Sequence, residues 1–296
     1  MDLAIVIPYF KKAHFEETLN SLKCQTNQNF NVYIGDDASP ESPVFLINQL
    51  ELQERFNYHR FDQNLGGKTL TKQWERCLDL VHGEENWVMI LCDDDVLSDN
   101  CIQEFFNNQE NIKKHSSNAI RFATKVIDGN GKALSKIYNH PRLELASDFL
   151  VRKEGGGTRS SLSEYIFKAE LIKSKGFIDL DLGWYSDVLA VLEISGGHKI
   201  FTINEAIVFF RKSPNSISGN ASEEYRKTKS LLRYYSILLL NFSNSFKDDD
   251  LRLFKGRFLK ILFENKRSIY SWQLFLKTIL LPTGRFSKKA LVIKFQ

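Results

Sequence analysis

The first half of the chain alternates between continuous apolar runs and segments with a helical spacing of apolar residues. The runs LAIVIP (3–8) and WVMILC (87–92) are typical of strands buried on both faces of a parallel sheet. Phe15, Leu19 and Leu22 fall on one face of a helix between 14 and 24. The same pattern predicts further strands at 30–39, 56–61 and 119–124 and further helices at 45–52 and 69–81. This alternation predicts an α/β fold with a mostly parallel central sheet flanked by helices.

The second half of the chain shows a weaker pattern. It predicts a hairpin turn at 126–132, a flexible loop at 154–161, and a strand with a helix at 163–176. It further predicts a loop followed by a helix at 176–197, with the helix opening near Ser186 and Asp187, and a strand at 205–219 that runs into a basic, serine-rich loop. From Ser222 onward the spacing is helical. We therefore predict one domain over 1–219 and a helical C-terminal extension over 220–296.

Polar or turn-forming residues follow the predicted strands. The strand ends carry PYF, GDDAS, NLGG and CDDD. In a parallel sheet the carboxyl ends of the strands meet at one edge, and ligands bind there. We expect these four segments to form the functional site.

Three adjacent carboxylates, Asp93, Asp94 and Asp95, follow the apolar run at 87–92. Carboxylates at a strand end are hard oxygen ligands suited to Mg²⁺ or Mn²⁺, and the oxygens of a diphosphate would complete the coordination shell. A solvated acidic turn or an acidic helix start is the alternative. Six apolar residues directly before the triplet favour the metal site.

Two further strand ends carry groups suited to a nucleotide. Asp36 or Asp37 would accept hydrogen bonds from a base or a ribose hydroxyl, or would only form a turn before a helix. In the segment QNLGGK the glycines allow close approach of a ligand to the backbone, and Lys68 is placed to reach a phosphate. The segment lacks the pattern of a Walker A loop.

Asp187 opens an apolar helix pattern. A serine or an acid at this place is expected as a helix cap or first-turn charge without any chemistry. The functional alternative is a general base that takes a proton from an attacking hydroxyl. The local pattern alone favours the cap.

Composition places the chain among globular proteins of a reducing compartment. Of 296 residues, 43% are hydrophobic, which suffices for a substantial core. The four cysteines form no CxxC pair, the six histidines form no HExxH motif, and no apolar stretch approaches the roughly 20 residues of a spanning helix. The N-terminal apolar run is too short for a signal peptide. We expect a cytoplasmic protein without zinc.

Charge is concentrated at the C-terminal end. Residues 251–296 hold eleven lysines and arginines and one glutamate, a net charge of +10, so the first 250 residues carry −6 within the chain's total of +4. Aromatic and leucine-rich runs are interleaved with these cations. The segment suits a helix lying on an anionic membrane surface, or an amphipathic helix packed on the core with a solvated basic face. Nothing in it resembles a nucleic-acid recognition module, so we expect no nucleic-acid partner.

Taken in order, IVIPYFKKAHFEETLNSLKCQT, YIGDDAS, NLGG and LCDDDVLSD resemble the nucleotide-sugar-binding half of the family 2 glycosyltransferases, which have the GT-A fold. The resemblance implies donor binding over 1–110 and acceptor binding over 111–219. It also implies an inverting transfer of a hexosyl or N-acetylhexosaminyl group from a nucleotide-sugar, with UDP favoured, to a glycan hydroxyl. A divalent Mn²⁺ or Mg²⁺ ion would assist.

The resemblance also implies roles for individual residues. The nucleotide would contact Pro8, Tyr9, Asp36, Asp37, Asn64, Gly66, Lys68, Asp93 and Asp94. The metal ligands would be Asp95 and Asp93, and the catalytic base would be Asp187. A loop with Arg211, Lys212, Ser213 and Ser216 would close over the diphosphate, where cations are suited to the charge.

Two positions depart from the family pattern. Ser186 stands where a glutamate is expected before Asp187, and Cys92 stands where many relatives have another aspartate. A non-catalytic protein that kept the nucleotide-sugar pocket is therefore one alternative, and a nucleotidyltransferase is another. Together with the basic segment, the resemblance suggests an acceptor such as a lipid-linked glycan at the inner face of a bacterial membrane, as in O-antigen or capsule synthesis.

Overall fold

The computed structural model describes residues 2–49, 55–213, 216 and 219–280. The chain divides into two compact units, Met1–Lys227 and Thr228–Gln296. The predicted boundary at 219/220 stays a prediction, as do the donor and acceptor halves of the first domain.

The first part of the first unit alternates strands and helices, as predicted. In chain order the elements are β1 (Leu3–Tyr9), α1 (Phe15–Lys23), β2 (Asn31–Asp36), α2 (Val44–Gln49), β3 (Phe56–Arg60), α3 (Leu70–Leu78) and β4 (Trp87–Ile90). The last residues of the helix predicted at 45–52 lie outside the described residues.

The second part contains elements of two to thirteen residues, several of which the sequence pattern does not predict. They are β5 (Val96–Leu97), α4 (Cys101–Asn107), α5 (Gln109–Lys114), β6 (Ala119–Ile127), β7 (Leu143–Leu145), α6 (Ala146–Glu154), β8 (Tyr165–Lys168), α7 (Ala169–Lys175), α8 (Ser186–Ser195) and β9 (Lys199–Arg211). A 3₁₀ turn, Leu162–Glu164, precedes β8.

One mixed sheet runs through the first unit in the order β3-β2-β1-β4-β8-β6-β9-β5, with β7 paired to β9. The strands β1 to β4 are parallel to one another, and β6 is parallel to β9. The pairings of β8 with β4 and β6, and those of β5 and β7 with β9, are antiparallel. The fold is the predicted α/β fold with a central sheet flanked by helices, but the sheet is parallel only in its first half and mixed beyond it.

The strand β9 starts at Lys199, six residues before the predicted position. Its pairing with β6 shifts register between Phe122 and Ala123, which face Ile203 and Ile207. Asn204 and Glu205 fall inside this bulge. Because the polar pair interrupts the apolar run, the sequence pattern indicates a strand only from 205 onward.

The core explains why the apolar runs form strands. Residues 3–7 of β1 and 88–90 of β4 are completely buried. Phe15, Leu19 and Leu22 of α1 belong to the same hydrophobic cluster. Each fully buried large apolar side chain contributes about 1.5–3 kcal/mol, so the cluster fixes the positions of the strand ends that carry the polar segments.

The second unit is helical over its described residues, as predicted. A helix α9 (Glu224–Asn241) crosses the boundary between the units and is followed by α10 (Asp248–Glu264), α11 (Ile269–Phe275) and a π-helical turn (Leu276–Leu280). Within residues 2–280, apart from the undescribed gaps, no helix is long and apolar enough to cross a membrane. The part of the basic segment at 281–296 lies outside the described residues.

Candidate active site

The parallel strands bring three of the predicted polar segments to one edge of the sheet. β1 and β2 are paired so that Tyr9 lies beside Asp36 at their last pair. β4 pairs with the other side of β1 and ends at Ile90, from which the chain enters Asp93–Asp95. The carboxyl ends of β1, β2 and β4 therefore share the edge where open α/β sheets bind ligands.

Asp37 attaches the glycine loop to the end of β2. The N–H groups of Leu65 and Gly66 donate to its two carboxylate oxygens at 2.6 and 2.8 Å, and Arg76 donates to it as well. A Cβ at Gly66 would lie 2.7 Å from Asp37 Oδ2. The glycine at 66 therefore permits the approach of Asp37 itself, and the loop is held by a buried carboxylate.

The other loop residues predicted to lie near a nucleotide are placed around this contact. Asn64 Oδ1 accepts a hydrogen bond from the N–H of Gly67 at 2.8 Å. The Lys68 side chain is exposed. The guanidinium of Arg76 stacks on the ring of Phe61, 3.9 Å from its centroid, so the loop is also supported from the α3 side.

Asp36 is fully buried and anchors the end of β2. Tyr58 and Arg60 donate to its Oδ2 at 2.7 and 2.8 Å, and the N–H of Ser39 donates to Oδ1 at 2.7 Å. Burial favours the neutral acid, but these donors outweigh it and hold the pKa of Asp36 below its usual value. The carboxylate is thus engaged by protein groups and shapes the edge of the sheet.

Pro8 and Tyr9 differ in their exposure. Pro8 is partly exposed, whereas the Tyr9 ring is buried 4.5 Å from the Phe15 ring, and its hydroxyl donates to the carbonyl of Glu41 at 2.7 Å. Burial, together with the negative charges nearby, raises the pKa of Tyr9. The Tyr9 carbonyl accepts the N–H of Asp37 at 2.9 Å, which joins the end of β1 to the end of β2.

The first member of the aspartate triplet supports the loop after β1. Asp93 Oδ2 accepts hydrogen bonds from the N–H groups of Phe10 and Lys11 at 2.8 and 2.9 Å. Burial raises the pKa of Asp93, and those two backbone donors oppose the rise. One of its oxygens is therefore used to fix the segment between β1 and α1.

The third member of the triplet is completely buried and bonded through both oxygens. Ser163 donates its hydroxyl to Asp95 Oδ2 at 2.5 Å, and the N–H of Arg211 donates to Oδ1 at 2.8 Å. Burial raises the pKa of Asp95 to about 6 against these hydrogen bonds. These contacts join the end of β4 to the turn before β8 and to the end of β9, and they argue against the expected role of Asp95 as a metal ligand.

Asp94 is the member of the triplet whose carboxylate receives no hydrogen bond from the described residues. Burial raises its pKa to about 8, and the negative charges of Asp95 and Asp93 add to the rise. Arg211 and Lys11 oppose it only in part. A carboxylate in this position gains most from a cation brought against it, because a cation removes both the repulsion and the cost of burial.

These donor groups fit a divalent metal of the Mg²⁺ or Mn²⁺ type. Such ions take carboxylate oxygens together with water and phosphate oxygens rather than a complete cage of side chains. Among the described residues, no group of three or more histidine, cysteine, aspartate or glutamate side chains is placed to hold a metal ion by itself. The soft ligand nearest in sequence, Cys92, has its pKa raised by burial, so it is a thiol rather than a thiolate.

Arg211 is an internal clamp at the end of β9, with 1% of its surface exposed. Its guanidinium donates to Asp94 O (2.9 Å), Asp128 O (3.1 Å), Gly129 O (3.1 Å) and Glu17 Oε2 (2.5 Å). These four contacts leave the guanidinium surrounded by protein acceptors. Arg211 therefore holds the aspartate triplet in place, and its contacts do not support the expected role at a diphosphate.

The rest of the predicted diphosphate loop follows Arg211. Lys212 is exposed, and its N–H donates to the carbonyl of Ile127 at 2.9 Å. Ser216 donates its hydroxyl to the carbonyl of Ser213 at 2.8 Å, which closes a short turn. Among the described side chains of this loop, that of Lys212 is the exposed one.

Asp187 lies in the first turn of α8, as the sequence predicts, but the cap of this helix is different. The cap residue is Tyr185, whose φ of 70° is uncommon for a bulky residue. The Ser186 hydroxyl instead accepts the N–H of Leu180 at 3.2 Å. Burial raises the pKa of Asp187, while the charges of Lys153 and Arg159 oppose the rise. A carboxylate with a raised pKa at a helix start is suited to taking up a proton.

The sequence analysis missed several residues that organise the site. Ser163 bonds both Asp95 and the N–H of Cys92 (3.1 Å), Arg76 supports Asp37, and Glu17 pairs with Arg211. Each acts on a partner 39 to 194 residues away in the chain. A hydroxyl, an arginine and an exposed helix acid carry no signal of such distant contacts.

Comparison with known proteins identifies the class. The family model for glycosyl transferase family 2 matches residues 4–160, more than half of the chain, so the chain belongs to that family. No curated protein matches it.

Solved structures share the fold. The S. aureus TarS 1–349 structure in complex with UDP-GlcNAc is 16% identical, with a TM-score of 0.65 over 94% of this chain and 79% of that one. A structure of GalNAc-T7 with UDP, GalNAc and Mn²⁺ is 12% identical, with a TM-score of 0.54 over 92% of this chain and 57% of that one. The chain is thus a family 2 glycosyltransferase with a GT-A-like α/β fold.

Proposed function

We propose that this glycosyltransferase is an inverting enzyme that moves a hexosyl or N-acetylhexosaminyl group from a UDP-sugar to a hydroxyl of a glycan acceptor. The observation that carries the proposal is the Asp94 carboxylate, which is partly buried beside two other acids and receives no hydrogen bond from the described residues. Family membership and the fold shared with a UDP-GlcNAc complex of TarS support a nucleotide-sugar donor.

The nucleotide would bind along the ends of β1 and β2. Partly exposed side chains and backbone groups would contact the nucleotide directly, while the buried carboxylates would hold the loops that form the pocket. The contributing residues are Pro8, Tyr9, Asp36, Asp37, Asn64, Gly66 and Lys68.

Asp94, with the remaining oxygen of Asp93, would hold Mn²⁺ or Mg²⁺. The ion, when bound, supplies a positive charge to the diphosphate leaving group. Asp95 then serves the site by fixing the triplet through Ser163 and Arg211. This assignment moves the main ligand role from Asp95 to Asp94, because only Asp94 lacks a protein donor among the described contacts.

Asp187 would act as the general base. It takes the proton from the acceptor hydroxyl, whose oxygen attacks the anomeric carbon on the face opposite the diphosphate. The bond from the anomeric carbon to the diphosphate oxygen breaks, and its electron pair leaves with the diphosphate. One displacement of this kind inverts the configuration at the anomeric carbon.

Ser186 supports a second candidate, a non-catalytic protein that binds the same donor. It replaces the acid expected beside Asp187, and its hydroxyl is used to hold Leu180. The two candidates differ in turnover and agree in donor binding, so a binding assay followed by an activity assay separates them.

For the acceptor we propose a lipid-linked glycan of bacterial surface polysaccharide synthesis, O-antigen or capsule, at the inner face of the plasma membrane. In the second unit, Phe263, Ile269 and Trp272 are exposed on either side of the basic pair Lys266 and Arg267. Exposed apolar groups next to cations are suited to an anionic lipid surface.

Vesicle sedimentation tests the membrane contact. The full-length protein should bind vesicles of anionic lipid, and the double variant Lys266→Glu, Arg267→Glu should bind less, since each cation near such a surface is worth about 1 kcal/mol. Equal binding by both proteins, or equal binding to neutral vesicles, would count against the membrane proposal.

The donor is tested by thermal unfolding with UDP-, GDP-, TDP- and CMP-sugars, each with and without Mn²⁺. We expect stabilisation that depends on Mn²⁺ with a UDP-sugar and is lost in Asp94→Asn. The exposed Asp99→Asn, five residues further along, is the matched control and should respond as the wild type. Stabilisation that survives Asp94→Asn would refute the metal assignment, and no shift with any donor would refute the proposed donor.

A further inference from the structure

Arg159 is a cation that its protein contacts hold only weakly. It lies between α6 and the turn Leu162–Glu164, and 17% of its side chain is exposed. Its N–H groups lie 3.4 Å from the carbonyl of Ser160, from Ser161 Oγ and from Glu164 Oε2. Each distance is beyond the usual 2.7–3.2 Å range for such hydrogen bonds. The guanidinium is therefore free to exchange these contacts for stronger ones.

The plane of this guanidinium is nevertheless fixed. It stacks on the ring of Phe210, 4.1 Å from the centroid. Stacking on an aromatic face restricts the rotation of an arginine while leaving its N–H edge available. A preorganised edge of this kind matches the paired oxygens of a phosphate.

Arg159 lies close to the proposed metal and base residues. Phe210 precedes Arg211, and Ser163 follows four residues after Arg159; both Arg211 and Ser163 donate to Asp95. Burial raises the pKa of Asp187, and the charge of Arg159 opposes that rise. Arg159 is thus linked to the aspartate triplet through its neighbours Ser163 and Arg211 and acts electrostatically on the candidate base.

The neighbouring arginines are engaged elsewhere. Arg211 is surrounded by protein acceptors, and Arg121 and Arg152 both pair with Glu144 at 2.8 Å. Arg159, by contrast, pairs with Glu164 at the longer distance of 3.4 Å.

We infer that Arg159 binds the diphosphate of the donor and takes up charge as the diphosphate leaves. The inference rests on the proposed function and replaces the role that the sequence assigned to Arg211. When the bond between the anomeric carbon and the diphosphate oxygen breaks, the electron pair stays on that oxygen, next to the guanidinium. Arg159 transfers no proton, because the proton of the acceptor hydroxyl goes to Asp187.

Calorimetric binding of UDP and uridine in the presence of Mn²⁺ tests the inference, with the wild type, Arg159→Gln, Arg159→Lys and Lys168→Gln. Lys168 is an exposed cation at the end of β8, opposite the first residue of β4 and so at the other edge of the sheet. Arg159→Gln should weaken UDP binding about 10- to 100-fold, the range for hydrogen bonds to a charged group, and leave uridine binding unchanged. The UDP affinity of Arg159→Lys should lie between those of the wild type and Arg159→Gln, and the UDP affinity of Lys168→Gln should match the wild type.

Three outcomes would count against these assignments, and they are distinguishable. UDP binding that Arg159→Gln leaves at the wild-type level would overturn the inference and leave the proposed function standing. Equal weakening of UDP and uridine would also overturn it, because a structural defect affects both ligands. A wild type that binds neither ligand would refute the UDP-dependent function itself.

Discussion

Replacing Glu164 by glutamine tests the electrostatics beneath the site. Glu164 is fully buried and accepts hydrogen bonds from the N–H and hydroxyl of Ser161 at 3.0 and 3.1 Å, all on Oε2. Its Oε1 has no hydrogen-bond partner in the described part of the chain. Burial raises the pKa of Glu164 from 4.5 to about 7, although Arg159, Arg121 and Ser161 oppose the rise.

This shift makes the free energy of unfolding depend on pH. Below pH 4.5 the group is protonated in both states, and between 4.5 and about 7 only the folded state keeps the proton. Stability therefore falls as the pH rises through this window. At about 1.4 kcal/mol per pKa unit, a shift from 4.5 to about 7 corresponds to a loss of about 3 kcal/mol.

The Glu164→Gln variant has no charge to bury. Its side chain is the same size, and its amide oxygen can accept both bonds from Ser161. Both proteins are unfolded in urea at pH 4.5, 6 and 8. The difference in unfolding free energy between the variant and the wild type should change by about 3 kcal/mol in favour of the variant from pH 4.5 to pH 8. The exposed Glu170→Gln is the control and should parallel the wild type.

A difference between Glu164→Gln and the wild type that stays constant from pH 4.5 to 8 would refute the reasoning. It would mean that Arg159 and Arg121 balance the buried carboxylate fully. A difference that changes in the opposite direction would mean that the charged form is the favoured one in the folded protein.

Three further substitutions test the internal contacts of the site by urea unfolding and by donor binding. Arg211→Lys cannot reproduce the four contacts of the guanidinium and should lose about 1.5–3 kcal/mol of unfolding free energy; wild-type stability would show that the clamp is dispensable. Gly66→Ala should weaken uridine binding, because its Cβ would fall 2.7 Å from Asp37 Oδ2; unchanged binding would place the nucleotide elsewhere. Ser163→Ala leaves Asp95 with an unpaired oxygen and should cost about 1–3 kcal/mol, and a neutral effect would contradict the assigned bond.

The parts of the fold that follow from the sequence are those with a strong local pattern. The strands β1 and β4 are continuous apolar runs, and burial on both faces of a sheet is the arrangement that satisfies them. The polar residues that follow these strands lie at one edge because the carboxyl ends of parallel strands share an edge of the sheet. A short element such as β7 depends on tertiary pairing, as the antiparallel contact of Leu143–Leu145 with β9 shows, and its local pattern is too brief to predict.

The roles of individual site residues are the least predictable part. The three triplet aspartates have the same side chain, and only their partners separate them: backbone N–H groups for Asp93, none described for Asp94, and Ser163 with Arg211 for Asp95. Those partners come from chain segments up to 116 residues apart. Whether an arginine is a clamp or a ligand-binding cation is likewise decided by which acceptors surround it.

The central claim is that Asp187 is the base of a UDP-sugar-dependent transfer. The direct test measures UDP formation from UDP-GlcNAc in the presence of Mn²⁺, together with donor affinity, for the wild type, Asp187→Asn and the exposed control Asp148→Asn. We predict that Asp187→Asn lowers the rate about 10²- to 10⁴-fold at unchanged donor affinity, and that Asp148→Asn matches the wild type. An Asp187→Asn protein that forms UDP at the wild-type rate would contradict the account.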